Sequence, residues 1–274
     1  MASGETGIDV RCYGSAGPLV IVVHGGPGAP GSAQGLAWPL MHRFRVLEPF
    51  QRRRGDQPLS VATHVADLTA LIADQQEQRP ALVGHSWGAM LVLALAAAHP
   101  ELVGPLALVG CGTFDTQARA VFRQTSDERL GVEGRARLAR LEEDYPDEEE
   151  RYAALGALYG EIYEYDAEPA PPNLQLGDAA GGEETWHDML RLQEAGIYPQ
   201  SFSTITSPVL MLHGDWDPHP GPLIRDGLKR YIPQLEYFEL PLCGHEPWRE
   251  RQARQRFFLV LEDWLATHFP EEAL

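Results

Sequence analysis

Residues 80–98 read Pro-Ala-Leu-Val-Gly-His-Ser-Trp-Gly-Ala-Met-Leu-Val-Leu-Ala-Leu-Ala-Ala-Ala, and this stretch decides the fold. Its opening, Pro80 to Val83, is a short apolar run with the character of a buried strand. Residues 89–98 are apolar nearly all round, as in a helix enclosed by a core. Between them Ser86 stands in the frame Gly84-His85-Ser86-Trp87-Gly88. A Gly-x-Ser-x-Gly turn from strand to helix is sharp, its glycines admit close backbone approach, and its serine hydroxyl is held exposed at the carboxyl end of a sheet. Ser86 is therefore the candidate nucleophile. The alternative is an ordinary serine at a helix start, against which the flanking strand and helix both weigh.

Working outward, strand-like and helix-like segments alternate, the pattern of a mostly parallel sheet with helices on both faces. Leu19 to Val23 reads as a buried strand ending at His24-Gly25-Gly26-Pro27-Gly28. Phe44 to Leu47 is a second, and residues 61–73 have apolar positions at helical spacing. Leu106 to Val109 is the next strand, after His99-Pro100 stops the preceding helix. Later come a strand at Pro208 to Leu212, a helix from Leu223 to Tyr231, a strand at Leu235 to Leu240 and an amphipathic helix from Arg256 to His268.

The alternation breaks between Phe114 and Ser203. From Phe114 to Gln200 the chain has 20 acidic residues against 8 arginines and no lysine, so this stretch carries most of the net charge of −17. Helical pieces are expected at Arg135 to Leu141, Glu149 to Tyr163 and Glu184 to Glu194, separated by Pro169-Ala170-Pro171-Pro172 and Gly181-Gly182. Tyr152, Leu155, Leu158, Tyr159, Trp186 and Met189 are too apolar for a disordered linker. The expected organisation is a core of residues 1–113 and 204–274 with a helical cap inserted at 114–203.

Composition excludes several classes. A chain of 274 residues with 44% hydrophobic content can bury one large core. The acidic balance disfavours nucleic acid and anionic membranes, and Arg52-Arg53-Arg54 reads as a solvated or internally paired turn. The start, residues 1–7, lacks a basic then apolar leader, and no apolar run is long enough to span a bilayer, so a cytoplasmic location is expected. Cys12, Cys111 and Cys243 fit neither a disulfide framework nor a zinc site and are expected to be reduced.

Asp217 and His245 lie in further strand-end loops, where ligands sit in sheets of this kind. The order Ser, acid, His is that of a triad on this architecture. His245 is expected as general base, since a serine hydroxyl needs an imidazole to take its proton, and Asp217 as the carboxylate that fixes the ring. Asp215 is the alternative acid; otherwise it caps a turn. A tetrahedral intermediate needs two donors, expected from the amides of Trp87 and Gly26. His213, Asp215, Asp217 and His219 alternate as metal ligands can, but the proline-containing loop is a poor frame, and no metal or other cofactor is expected.

With His24-Gly25-Gly26-Pro27-Gly28, Gly84-His85-Ser86-Trp87-Gly88, Gly214-Asp215-Trp216-Asp217 and Gly244-His245, the chain resembles the α/β-hydrolase superfamily, and within it the proline iminopeptidase branch. The resemblance implies an α/β-hydrolase fold, a mostly parallel doubly wound sheet with a helical cap, and a serine hydrolase working through an acyl-enzyme. Its sharpest form is aminopeptidase-like cleavage of small peptides or amides, for which Glu183, Glu184 and Asp188 around Trp186 are candidate partners of a substrate ammonium, with Trp186 and His24 as further substrate-binding candidates. The alternatives are a carboxylesterase, lactonase or carbon–carbon bond hydrolase on a small acyl substrate, and a non-catalytic ligand receptor on the same fold. Either way the expected partner is a small molecule or short peptide; the oligomeric state is not legible.

Overall fold

The computed structural model describes residues 2–3, 8–75, 79–170 and 177–269. Pro171 and Pro172 of the expected proline-rich break, and much of the 1–7 start, lie outside the described residues. A sheet of eight strands runs β1 (Ala2–Ser3), β2 (Asp9–Tyr13), β4 (Arg45–Pro49), β3 (Leu19–Val23), β5 (Ala81–His85), β6 (Leu106–Val109), β7 (Val209–Gly214) and β8 (Leu235–Leu240) in spatial order. Pairing is antiparallel for β1 with β2 and β2 with β4, and parallel from β4 to β8.

The inner parallel strands β3, β5, β6 and β7 are buried along their whole length, which is why they read as largely apolar runs. Leu19, Ile21, Val23, Leu82, Leu106 and Leu108 turn to one core, and Val20, Val22, Ala81, Val83, Ala107 and Val109 to the other. The first is covered by α2 (Val61–Ala73), α3 (Trp87–Ala98) and α8 (Gly221–Lys229), the second by α1 (Gln34–Leu40) and α9 (Arg254–His268). In α3 every residue from Trp87 to Ala96 is buried, so this helix is a central member of the core.

The chain between β6 and β7 carries α4 (Thr116–Ala139), α5 (Leu141–Asp144), α6 (Glu148–Tyr163) and α7 (Ala179–Glu194), followed by a 3₁₀ turn at Gln200–Thr204. Three of these helices, α4, α6 and α7, begin on side-chain caps: Asp115, Asp147 and Asp178 accept from the amides of Ala118, Glu150 and Gly181. The expected helix at Arg135 to Leu141 is the end of a longer α4, broken at Gly131, where φ is +60°, and again near Arg140. Leu130, Leu158 and Ile162 form a small core of this inserted layer. No described helix is long and apolar enough to cross a membrane.

Burial of α3 on all sides predicts intolerance to truncation there. Leu91→Ala should lower unfolding free energy by about 2–5 kcal/mol, read from the midpoint of urea denaturation at unchanged slope.

Candidate active site

Ser86 sits between the last residue of β5 and the first of α3 with φ +54° and ψ −116°, a conformation non-glycine residues rarely adopt. Its neighbours explain why it is imposed. A Cβ on Gly84 would run into the backbone of Gly88 and Ala89, and one on Gly88 into the carbonyl oxygens of Val23 and His24. The helix therefore starts pressed against β5 and the end of β3, and the single residue available to turn the chain is Ser86, anchored by its amide to Val109 O at 2.8 Å.

Ser86, Trp87 and Gly26 line one cavity of about 680 Å³, enclosed by α4 to α7. Trp87 is the first residue of α3, whose leading amides have no intrahelical acceptor. Its indole is buried and donates to Gln51 Oε1 at 2.7 Å. Gln51 in turn donates its side-chain amide to His24 O at 2.9 Å and its backbone amide to His24 Nε2 at 3.1 Å. With Nε2 accepting, the His24 proton sits on Nδ1 and goes to Gly25 O at 2.8 Å. Burial pushes His24 down to about 4, so the ring is neutral near pH 7. His24 thus braces the glycine loop from below and does not line the cavity, which corrects the expectation of substrate contact.

Asp217 and His245 meet: Nδ1 of His245 lies 2.6 Å from Asp217 Oδ2. Asp215 instead accepts the amide of Cys243 at 3.2 Å, as a turn residue. Asp217 is buried among three imidazoles. Its Oδ1 takes both the backbone amide and Nδ1 of His219, each at 2.9 Å, and its Oδ2 also lies 3.3 Å from His213 Nε2. Burial alone would raise the Asp217 carboxyl, but His245, His213 and His219 together hold it well below the usual carboxylate range. Burial alone would lower His245, yet the Asp217 carboxylate outweighs it and raises the imidazole above its ordinary value. For His219 burial wins and the ring is lowered.

The His219 role was hidden in the sequence behind the alternating His and Asp pattern. Its ring is stacked between Phe122 of α4 (centroids 4.3 Å apart) and His245 (4.8 Å). Asp217, His219 and His245 are also the described residues whose donor atoms lie close enough, within 4.8 Å, to hold a metal ion, but both imidazoles spend Nδ1 on the carboxylate. The loop of His245 is held by Glu250, which is buried and accepts the amides of Gly244, Tyr165 and Asp166 at 2.8–2.9 Å. The His245 amide itself donates to Tyr163 O at 2.9 Å. Ser86 Oγ makes no hydrogen bond to His245 or to any other described residue.

Of the acidic residues expected near a substrate, only Glu183 lines the cavity, together with Trp186. Glu184 accepts the amide of Leu59 at 2.9 Å and pairs with Arg54, while Asp188 accepts the amide of Val61 and pairs with Arg191. Both are spent on the segment entering α2, away from the cavity. Arg52 is paired with Asp67, so two of the three adjacent arginines are internally satisfied.

Comparison with known proteins places this geometry. Residues 18–248 match the family model described as alpha/beta hydrolase fold. A pimeloyl-[acyl-carrier protein] methyl ester esterase of Nitrosomonas europaea is 23% identical over 85% of this chain and 90% of its own length. A proline iminopeptidase of Xylella fastidiosa is 29% identical, over 53% of this chain and 44% of its length. Among solved structures, a thermophilic esterase from Thermogutta terrifontis superposes with a TM-score of 0.63 at 19% identity, covering 96% of this chain and 94% of that one.

The positive φ at Ser86 is a store of backbone strain of about 1–3 kcal/mol. Ser86→Gly should therefore be more stable than Ser86→Ala by about 1 kcal/mol in urea denaturation, since alanine keeps the strain and glycine relieves it.

Proposed function

The chain belongs to the alpha/beta hydrolase fold family and is a hydrolase, and from that premise we propose that it is a serine hydrolase of carboxylic esters, acting through an acyl-enzyme. The observation that carries the reading is a strained serine lining a cavity, with a buried Asp217–His245 pair in neighbouring strand-end loops. Ser86 Oγ attacks the ester carbonyl carbon while His245 Nε2 takes its proton. The oxyanion is met by the amides of Trp87 and Gly26, fixed before substrate arrives. Collapse breaks the bond to the alkoxy oxygen, which leaves as alcohol with the proton from His245. Water, deprotonated by the same ring, then attacks the acyl-serine, releasing the acid and restoring the serine. Asp217 stabilises the imidazolium, and His219, itself held at its carbonyl by His213 Nε2, binds the other oxygen of the carboxylate, so that it presents one oxygen to His245.

Ester rather than amide chemistry is supported by where the acidic residues go. A free N-terminal ammonium needs a carboxylate near the acyl site; Glu184 and Asp188 are committed to backbone amides and arginines elsewhere, which leaves only the exposed Glu183 of the three candidates at the cavity. The esterase among the relatives spans most of both chains, whereas the iminopeptidase match spans half of this one.

Ser86→Ala and His245→Ala should each lower turnover on the order of 10⁴- to 10⁶-fold with the fold retained. Asp217→Asn should cost more than Asp215→Asn, and the reverse ranking would reassign the acid. A fluorophosphonate adduct on Ser86, detected by peptide mass spectrometry and lost in His245→Ala, checks the nucleophile; labelling that ignores His245 would count against the pair. Turnover of alanine or proline arylamides without turnover of p-nitrophenyl acyl esters would restore the aminopeptidase reading.

Since the base must be neutral to accept a proton and Asp217 raises the His245 ring, kcat/KM should fall on the acid side. The midpoint should lie above the ordinary histidine value of about 6.5 and move to lower pH in Asp217→Asn.

A further inference from the structure

The cavity over Ser86 has a basic wall that ester cleavage itself leaves unused. Arg119 and Arg123 stand one turn apart on α4, and both line it, as does Arg151 of α6. Arg151 donates to the carbonyls of Tyr145 and Pro146. Three other arginines of the insert are ion-paired, Arg137 with Glu161, Arg140 with Asp144 and Arg191 with Asp188, while Arg129 and Arg135 donate to backbone carbonyls. Among the described residues no carboxylate oxygen lies within the 4.0 Å ion-pair distance of Arg119 or Arg123.

Arg119 is poorly compensated. It donates to Gln193 Oε1, but its Nε is buried without a partner. Burial disfavours its charge and Arg123 adds repulsion, against which Asp115 and Glu194 act only through space. Like charges at this spacing on a helix repel, and a buried donor without an acceptor is costly. An anion between the two guanidinium groups relieves both at once.

The surroundings favour an anion on the Ser86 side. Glu142, Glu148 and Glu183 also line the cavity and are exposed, as Arg123 is, whereas Arg119 is half-buried and so is the less screened charge. The neighbouring cavity that Arg119 also borders is lined by Asp115, Glu194 and Asp226 against Arg230, which makes it the poorer host. The rest of the Ser86 cavity wall includes Met90, Phe122, Leu138, Leu155 and Tyr159, suited to a methylene chain.

We propose that Arg119 and Arg123 form a subsite for a carboxylate on the substrate, so that the preferred ester is a monoester of a dicarboxylic acid. The planar guanidinium fork matches a carboxylate in two parallel hydrogen bonds. The proposal rests on the ester-hydrolase reading of Ser86, and its test separates the two. Hydrolysis of methyl hydrogen adipate and methyl hydrogen suberate is compared by pH-stat with that of methyl hexanoate and methyl octanoate. The expected result is a kcat/KM at least about tenfold higher for the acids, expressed mainly in KM, shrinking with added salt. The ratio should collapse toward one in the double variant Arg119→Gln/Arg123→Gln and partly return in Arg119→Lys/Arg123→Lys. Arg137→Gln, on the same helix but paired with Glu161, should leave the ratio as in the wild type. A wild-type ratio near one, or a ratio that survives the double glutamine variant, overturns the subsite while leaving the ester hydrolase standing. Failure to cleave any of the four esters, with p-nitrophenyl acyl esters also untouched, removes the ester reading and the subsite with it.

Discussion

The closeness of α3 to β3 and β5 is the constraint on which the rest of the molecule depends. The helix starts so near the sheet that the sites of Gly84 and Gly88 leave no room for a Cβ, and the chain can make the approach only by turning through a positive φ at Ser86. The cost of that turn is local; the gain is a helix buried from Trp87 to Ala96 and packed into the largest core. Packing and chemistry thus share one origin, since the turn that seats the helix also leaves the serine side chain at the cavity.

Around this elbow the electrostatics are organised by a single carboxylate. Asp217 is buried, yet it stays ionised because hydrogen-bond donors meet both of its oxygens. A buried charge with one partner would be a liability, whereas one held by the rings of His245 and His219 and by the His219 backbone amide is a fixed point from which the His245 ring is oriented. Phe122 extends the stack of rings from α4 of the insert to His245.

Much of this was legible in the sequence, for reasons that differ by element. Leu106–Val109 and Leu235–Leu240 coincide with their expected strands, the first a continuous apolar run buried throughout and the second an edge strand with buried apolar ends and exposed Glu236 and Glu239. The helix after Gly88 was evident because it is apolar all round. The segments Asp9–Tyr13 and Gln34–Leu40 were not read as elements: the first is an antiparallel strand of mixed polarity, and the second carries an internal Pro39. The first half of α4 is hidden by charge, since its few buried residues, Ala118, Ser126 and Leu130, are too sparse to show a face. At the site, the local motifs around Ser86, Asp217 and His245 stand out by their residue types. The partners of Gln51, His219, Glu250 and Arg119 depend on contacts with residues tens of positions away or more, or on a ring stack, which no local pattern encodes.

The insert grips the glycine loop as well as covering it. Tyr152 of α6 donates to Pro27 O at 2.8 Å, and the Asp178 amide, at the start of α7, donates to Gly28 O at 2.9 Å. The fit at Gly28 is tight enough that a side chain there would strike the Asp178 carbonyl. An outward swing of α6 and α7 must therefore release the segment carrying Gly26, so admission and readiness lie on one mechanical coordinate. On the serine-hydrolase reading proposed for Ser86, an unlatched molecule would admit water while the Gly26 amide is out of place.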